Sequence, residues 1–297
     1  MSRLSWNISQ LGNMQRVHVI GVIGQGYVGK NYADALEDRG HQVIRYALEP
    51  EYVGNKHKIK DADLAIIAVP TPSVDGVFID THVRDALTIC RDGQIVVIKS
   101  TVQKGKTNEL QRDHPHLVII HSPEFLRESF AREDVERPTR SVFGIPVDSE
   151  RHRQAAKFAE EIFPKHEGTH VMHVSAVDAE FIKYTHNTMG MMMVVYTNVL
   201  YDLASAHGVN WDSVKDAILH NPWFPEKYLD PVHKHGRGAG GHCFIKDFAA
   251  MLESYQQHVG DKEGVELLQA IARKNAKLLI DSGKDLDILR EVYKEGW

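Results

Sequence analysis

Cysteine is scarce in this sequence: Cys90 and Cys243 are the only two in 297 residues. Two cysteines build no disulfide framework, so the expected setting is a reducing one and the expected location cytoplasmic. No stretch of about 18 apolar residues occurs, and the apolar Met189–Val195 is far too short to span a bilayer. The N-terminus lacks the basic, apolar, small-residue order of a secretory signal. An excess of positive charge is missing as well. The 35 Lys+Arg against 40 Asp+Glu leave a net charge of -5, which argues against nucleic-acid binding by bulk electrostatics. What is there is ordinary for a soluble protein: 42% hydrophobic and 25% charged residues. A chain of this length has room for about two domains with cores of their own.

Residues 1–16 are polar and lack a period, and they read as an extension. From Val17 short apolar runs alternate with helical patterns. Val17–Ile23, Gln42–Ala47, Asp63–Val69, Gln94–Lys99, Leu117–Ile120 and Ser141–Ile145 read as strands. Their near-continuous apolar character is that of strands buried on both faces. Strands alternating with helices imply an α/β fold, a doubly wound parallel sheet with helices on both sides. After about Val174 the strand signal stops. Val177–Ala206 has helical spacing and no proline, so it reads as one long helix. Trp211–Leu219, Asp247–His258 and Gly264–Ser282 follow as helices, with residues 221–241 as a loop rich in Pro, Gly and His. The expected division is an extension at 1–16, a Rossmann-type domain at 17–173 and an all-α domain on the long central helix at 174–297.

Gly24, Gly26 and Gly29 form G-x-G-x-x-G between the first strand and the first helix. In that context the glycines allow a tight turn, close approach of a pyrophosphate and close helix–strand packing, so Gly24, Gln25, Gly26, Tyr27, Val28 and Gly29 are expected to hold a dinucleotide. The acidic residue expected at the end of the second strand is missing. In HQVIRYALEP that position falls on Ala47, with Glu49 two residues later and Arg45 close enough to face a 2′-phosphate. NAD is the expected cofactor, with NADP left open.

Cys243 lies in GRGAGGHCFIKDF, at the end of a glycine-lined turn with a helix expected just after it. A thiol at a helix N-terminus ionises more easily because the helix dipole stabilises the thiolate. Lys246 and Asp247 follow three and four residues on and share its face, the spacing of a nucleophile with acid–base help. Cys90 reads as a small buried residue. In EFIKYTHN, Glu180, Lys183 and Asn187 share one face of the long helix. HSPEFLRES puts Glu124 and Glu128 just past a strand's carboxyl end, where open α/β sheets bind ligands, and KSTV puts Ser100 and Thr101 at another.

These strings, taken together and in this order, resemble the UDP-glucose/GDP-mannose dehydrogenase family. The resemblance runs from about Val17 to about Asn275 and includes GVIGQGYVG, VPTP at Val69–Pro72, KSTV, SPEFLRE, FIKYTHN and GAGGHCFIKD. It implies oxidation of a sugar's primary alcohol to a carboxylate through a thiohemiacetal and a thioester on Cys243. It gives catalytic roles to Lys183, Asn187, Asp247, Glu128 and Thr101, with oxyanion stabilisation by Lys183 and Asn187, proton transfer by Asp247 and water activation by Glu128. It places Glu124, Phe125, Leu126 and Lys246 on the substrate, and Pro70, Thr71, Ser100, Thr101 and Glu128 on the cofactor; His242, beside Cys243, and Tyr228, in the preceding loop, are expected on the substrate from their positions. It also implies a homodimer built on the long helix.

The chain departs from the family pattern in three ways. It ends at Trp297, soon after the helical segment, so the nucleotide-holding third domain is expected to be absent. The loop that carries an arginine in the family reads NPWFPEKYLDP, with Trp223 or Phe224 in its place. Trp223, Phe224 and Tyr228 stack on a planar ring or pack in the loop. Within the glycine-rich motif Ala239, His242 and Ile245 replace the usual residues. The substrate is therefore left as a sugar, sugar nucleotide or nucleoside. The competing readings are a redox-neutral dehydratase or epimerase and a non-catalytic dinucleotide-binding module. His233, His235 and His242 match no structural zinc spacing, and no metal is expected.

Overall fold

The structure is a computed structural model and describes residues 16–74, 77–221, 226 and 228–293. The six strand runs read from the sequence form six adjacent strands of one seven-stranded sheet, from one edge inward. In chain order its strands are β1 (Val19–Ile23), β2 (Gln42–Tyr46), β3 (Leu64–Ile67), β6 (Ile95–Ile98), β7 (Val118–His121), β8 (Arg140–Ile145) and β9 (His170–Ser175). Strands β4 (Ser73–Val74) and β5 (Val77–Phe78) make a separate two-stranded ribbon. The sheet order is β2-β1-β3-β6-β7-β8-β9. Around it pack α1 (Tyr27–Asp38), α2 (Thr81–Thr88), α3 (Lys106–Asp113), α4 (Ala131–Glu136) and α5 (Glu150–Ile162).

The apolar runs are explained by burial on both faces of the sheet. Ile20 and Val22 of β1, and Leu64 and Ile66 of β3, enter one core with Leu36, Phe143 and Ile162. Ile23, Ala65 and Ile67 from the same two strands enter the opposite core with Val83, Leu87 and Leu110. Side chains alternate across a strand, so both parities must be apolar where helices cover both faces.

The expectation of a parallel sheet needs correcting at one edge. β7 and β8 are antiparallel, joined at His121–Gly144, and β8 pairs with β9 in parallel. The chain between β7 and β8 holds only a short 3₁₀ turn and the six-residue α4. It stays at the carboxyl end of the sheet instead of crossing back, so β8 starts at that end and runs the other way. Strand β9 was not expected. HVMHVS is a half-exposed edge strand broken by two histidines, so it carries no apolar run.

Helix α6 (Ala176–Ala206) is the long helix expected, 31 residues and about 46 Å at about 1.5 Å per residue. The Ser175 hydroxyl caps it by accepting from the Asp178 N–H at 3.1 Å. It is followed by α7 (Trp211–Leu219), α8 (Gly241–His258), α9 (Lys262–Ser282) and α10 (Leu286–Val292). Helix α8 starts at Gly241, earlier than expected, so Cys243 lies inside its first turn. Helix α10 was not expected, and the helical half also holds a small ribbon, β10 (Val232–His233) with β11 (Gly236–Arg237). α6, α8 and α9 share a core of Met191, Val195, Phe248, Leu252, Leu268 and Ala272. Glu180 of α6 ties this half to the sheet. Fully buried, its carboxylate accepts from the Thr107 N–H at 2.8 Å, the Thr107 hydroxyl at 2.6 Å and the Gly105 N–H, which caps α3. Among the described residues no helix is long and apolar enough to cross a membrane.

Candidate active site

The carboxyl ends of β1, β3, β6 and β7 face α6 and the start of α8 across a cleft of about 860 Å3. One end is the turn from β1 into α1. Gly24 has φ +92, and a methyl group there would lie 2.3 Å from the Ala68 carbonyl oxygen. A Cβ on Gly29 would lie 1.9 Å from the Gly24 carbonyl oxygen. These two glycines are required by the fold itself. Gly26 is different: its φ is -66 and a Cβ would meet nothing within 4 Å. The space beside it opens into the cleft at the N-terminus of α1, whose first turn holds no acidic residue. Unpaired N–H groups and a free approach to backbone fit the pyrophosphate of a dinucleotide. Gln25, Tyr27, Val28, Pro70, Thr71, Ser100 and Thr101 line the same cleft, as expected. The Ser100 hydroxyl is held between the Val69 N–H at 2.9 Å and the Val69 carbonyl at 2.8 Å, and Thr71 donates to the Thr101 carbonyl at 2.8 Å.

The other end is built around Cys243. Its Sγ is 4.0 Å from the Tyr27 hydroxyl, so the cysteine reaches the dinucleotide loop. The next turn of α8 points two ways. Lys246 donates to the Thr71 carbonyl at 2.7 Å, on the cofactor side, while Asp247 turns to α6. Asn187 Nδ2 donates to Asp247 Oδ2 at 2.6 Å, and Lys183 Nζ donates to the Glu124 carbonyl. Asp247 is 1% exposed, and burial raises its pKa above the ordinary aspartate range, against the opposing pull of Lys183, Lys246 and the Asn187 amide. Such a carboxyl holds or releases a proton nearer neutrality than a solvated one does.

Sequence reasoning missed Lys99. It closes β6 with its side chain 3% exposed, pairs with Glu124 at 3.1 Å and lies over the Tyr32 ring at 4.5 Å. Burial pulls its pKa down and Glu124 pushes it back up. The pair fixes the Ser122–Glu128 loop from below, and the only sequence signal was a lysine ending an apolar strand. The residues that hold the glycine-rich turn before Cys243 were also missed. Asn275 of α9 accepts from the Ala239 N–H at 2.7 Å and donates to the Ala239 carbonyl at 3.0 Å. Lys284, 4% exposed, donates to the Gly238 carbonyl at 2.9 Å, and Asp285 accepts from the Gly241 N–H at 2.8 Å. A Cβ on Gly240 would sit 1.9 Å from Asp285 Oδ2.

Not every expected residue faces the cleft. Glu124 lines it, but Phe125 and Leu126 do not. The Phe125 ring lies under the Arg140 guanidinium at 4.0 Å and beside the His186 ring at 5.3 Å, and Leu126 packs against the sheet core. Glu128 is on the rim, its side chain 73% exposed and 3.7 Å from Lys234. Tyr228 is folded against α6, where a Cβ on Gly190 would lie 3.1 Å from its hydroxyl, and its ring is 6.0 Å from that of Phe244. Trp223 and Phe224 lie outside the described residues, as does the side chain of His242. Arg45, expected near a 2′-phosphate, is engaged within the protein. Its nitrogens go to Asp34 at 2.6 Å, Glu37 at 2.7 Å and Gln25 at 3.4 Å. Among the described residues no group of three His, Cys, Asp or Glu side chains is placed to hold a metal ion.

Comparison with known proteins identifies the family. Residues 52–166 match the NAD binding domain of the UDP-glucose/GDP-mannose dehydrogenase family, and residues 177–277 match its central domain. The UDP-glucose 6-dehydrogenase of Streptococcus pneumoniae is 30% identical over 274 residues, which cover 80% of this chain and 68% of that protein. The structure of a UDP-glucose dehydrogenase from Pyrobaculum islandicum superposes with a TM-score of 0.74 at 24% identity, over 89% of this chain and 69% of that one. A 3-hydroxyisobutyrate dehydrogenase from Mycobacterium tuberculosis shares the fold, with a TM-score of 0.69 at 17% identity over 93% of this chain and 98% of that one. The glycine loop that fits a dinucleotide, the cysteine set against it and these matches agree: the chain belongs to the UDP-glucose/GDP-mannose dehydrogenase family of NAD-dependent dehydrogenases.

Proposed function

We propose that the chain oxidises the primary alcohol of a sugar, sugar nucleotide or nucleoside to a carboxylate, with Cys243 as the covalent nucleophile. The observation that carries this reading is the 4.0 Å approach of Cys243 Sγ to Tyr27 of the glycine-rich loop. A dehydrogenase that stops at the aldehyde has no use for a thiol at that point. Bound NAD supplies a two-electron acceptor, and two are consumed per carboxylate formed. All other steps fall to the protein. The Cys243 sulfur adds to the aldehyde carbon, and the carbonyl oxygen becomes an oxyanion facing the Lys183 ammonium and the Asn187 amide. Hydride loss then leaves a thioester. Water adds to it, the thiolate departs, and the acid is released. Asp247, held by the Asn187 amide, exchanges the proton that the oxyanion gains and loses through a water. Glu128, on the rim beside Lys234, takes the proton of the attacking water.

The second copy in a homodimer has a surface to meet on α6. Met189, Met192, Tyr196, Val199 and Leu203 follow one another at steps of three and four and are 38% to 64% exposed, on the side turned away from α8 and α9. Such a stripe is a helix–helix seam. A dimeric mass by light scattering supports this, and a monomeric mass refutes it.

The test of function is product mass after incubation with NAD and a panel of sugar nucleotides, sugar phosphates and nucleosides, with NADH counted in the same tube. The expected result is CH2OH converted to COOH with two NADH per product. Loss of water or an isomer of unchanged mass, without net NADH, replaces the reading by a dehydratase or an epimerase.

A further inference from the structure

The adenosine end of the cleft departs from the usual NAD arrangement in a consistent direction. A carboxylate at the end of β2 ordinarily accepts from the ribose hydroxyls and repels a 2′-phosphate. Here that position is Ala47, 8% exposed and part of the cleft wall. Of the carboxylates on α1, Asp34 and Glu37 are occupied by Arg45 and Asp38 by Arg132. Glu49 is the one acid of the β2 end that lines the cleft, and it is exposed.

Beyond Glu49 the chain turns into a 3₁₀ helix, Val53–Asp61, that carries Lys56, His57, Lys58 and Lys60. A second hollow of about 350 Å3 lies on it, lined by Val53, Gly54, Lys56, His57, Lys60 and Ile89, with no acidic side chain. Lys56 and Ile89 line both hollows, so the basic hollow adjoins the adenosine end of the cleft. The turn is a built feature. Asn55 donates to the Arg45 carbonyl at 3.0 Å, Gln94 donates to the Ile59 carbonyl at 2.9 Å, and Ile59 is fully buried. Lys58 is drawn aside to Asn55 at 3.0 Å.

We propose that the dinucleotide site accepts the 2′-phosphorylated cofactor NADP as well as NAD, with the phosphate held by Lys56 and Lys60 where other sites place a repelling carboxylate. The proposal rests on the reading that the glycine-rich cleft binds a dinucleotide. Three features act together: the missing acid at Ala47, an anchored turn whose Lys56 lines the cleft at that end, and an adjoining hollow lined by both Lys56 and Lys60. Phosphate contacts to lysine are charge-assisted and lose strength with salt.

The test is titration calorimetry of the full chain with NAD and with NADP at one fixed, low ionic strength, so that binding is read without turnover. NADP is expected to bind at least as tightly as NAD. The double variant Lys56→Glu, Lys60→Glu is expected to weaken NADP by about tenfold or more, the size of one lost charged contact, and to change NAD by about twofold or less. Both lysines are exposed, so charge reversal leaves the core intact. Ala47→Asp is expected to turn the preference to NAD. Adenosine 2′,5′-bisphosphate should displace NADP, and inorganic phosphate at the same concentration should not. The proposal is overturned if NAD binds and NADP binds about tenfold more weakly or worse. Equal losses for both cofactors in the double variant also overturn it, because the hollow then holds the adenine. Failure to bind either dinucleotide sinks the parent reading instead, so the two failures are distinguishable.

Discussion

Two glycine-rich turns face each other across the cleft, and each leads into a helix. They are held in different ways. The turn at Gly24–Gly29 is fixed by its own backbone and its neighbouring strand: Gly24 packs on Ala68, and Gly29 on Gly24. The turn at Gly236–Gly241 is fixed from outside, by Asn275, Ser282, Lys284 and Asp285 at the end of α9 and the start of α10. A turn held by local contacts carries a sequence signature. One held by remote side chains leaves its glycines visible and hides what they are pressed against. Gly236 illustrates this, since a Cβ there would lie 2.8 Å from the Ser282 hydroxyl and 2.9 Å from Lys284 Cβ.

The largest expected effect separates the two turns by chemistry. Cys243→Ala should lower carboxylate formation by more than about a thousandfold, as loss of a covalent nucleophile does, while leaving NAD affinity within about twofold. Product mass and calorimetry check both halves. Carboxylate formation at near-normal rate in this variant would remove the nucleophile from the second turn altogether.

A smaller effect tests the outside clamp. Asn275→Ala strips both partners from buried Ala239 and should cost about 2–4 kcal/mol of stability, with activity falling along with it. Thermal unfolding measures the first, and NADH production the second. An unchanged melting temperature would mean that the turn holds itself, as the first one does.

The matching change in the first turn should act on binding alone. Gly26→Ala has room for its methyl group and a permitted φ, so the melting temperature of the free protein should hold. NAD affinity should fall by about tenfold, because the methyl group stands where the pyrophosphate meets backbone. A fall in stability with no loss of affinity would reverse the assignment of this glycine to the ligand.

The smallest effect concerns Asp247. Its folded pKa is raised by burial, so the folded state favours the protonated form. That contribution is fully present below the unfolded aspartate value and is lost as pH rises through the folded one. Asp247→Asn keeps an acceptor for the Asn187 amide without the charge. It should therefore stabilise the protein at neutral pH, where the buried carboxylate would otherwise carry its charge. The gain should vanish below about pH 4, where both side chains are neutral. A gain independent of pH would point to packing in place of charge.

The first five strands, the dinucleotide loop and α6 were legible because each is encoded in neighbouring residues: apolar runs, glycine spacing and a proline-free helical period. The edge formed by β8 and β9 was only half legible, since strand direction depends on where the chain between β7 and β8 travels. The candidate site divides along the same line. Cys243 and Asp247 stand in a short glycine-lined string whose residue types and spacing point to them, while Lys183 and Asn187 stand out only through the family resemblance. Lys99 and Lys284 do not, because a single lysine, whether ending an apolar strand or inside a polar turn, reads as an ordinary surface residue until its partners are known.

By itself the sequence determined the α/β character and the glycine turn that admits a dinucleotide, which follow from local periodicity and spacing, and it carried the strings that resemble a dehydrogenase family. Only the tertiary structure decided that Arg45 belongs to Asp34 and Glu37, that Tyr228 lies on Gly190, and that Lys56 and Lys60 line one hollow beside the cleft. The physical reason is that a charge or a ring takes its role from the group it meets. Those meetings join residues far apart in the chain, and packing sets them.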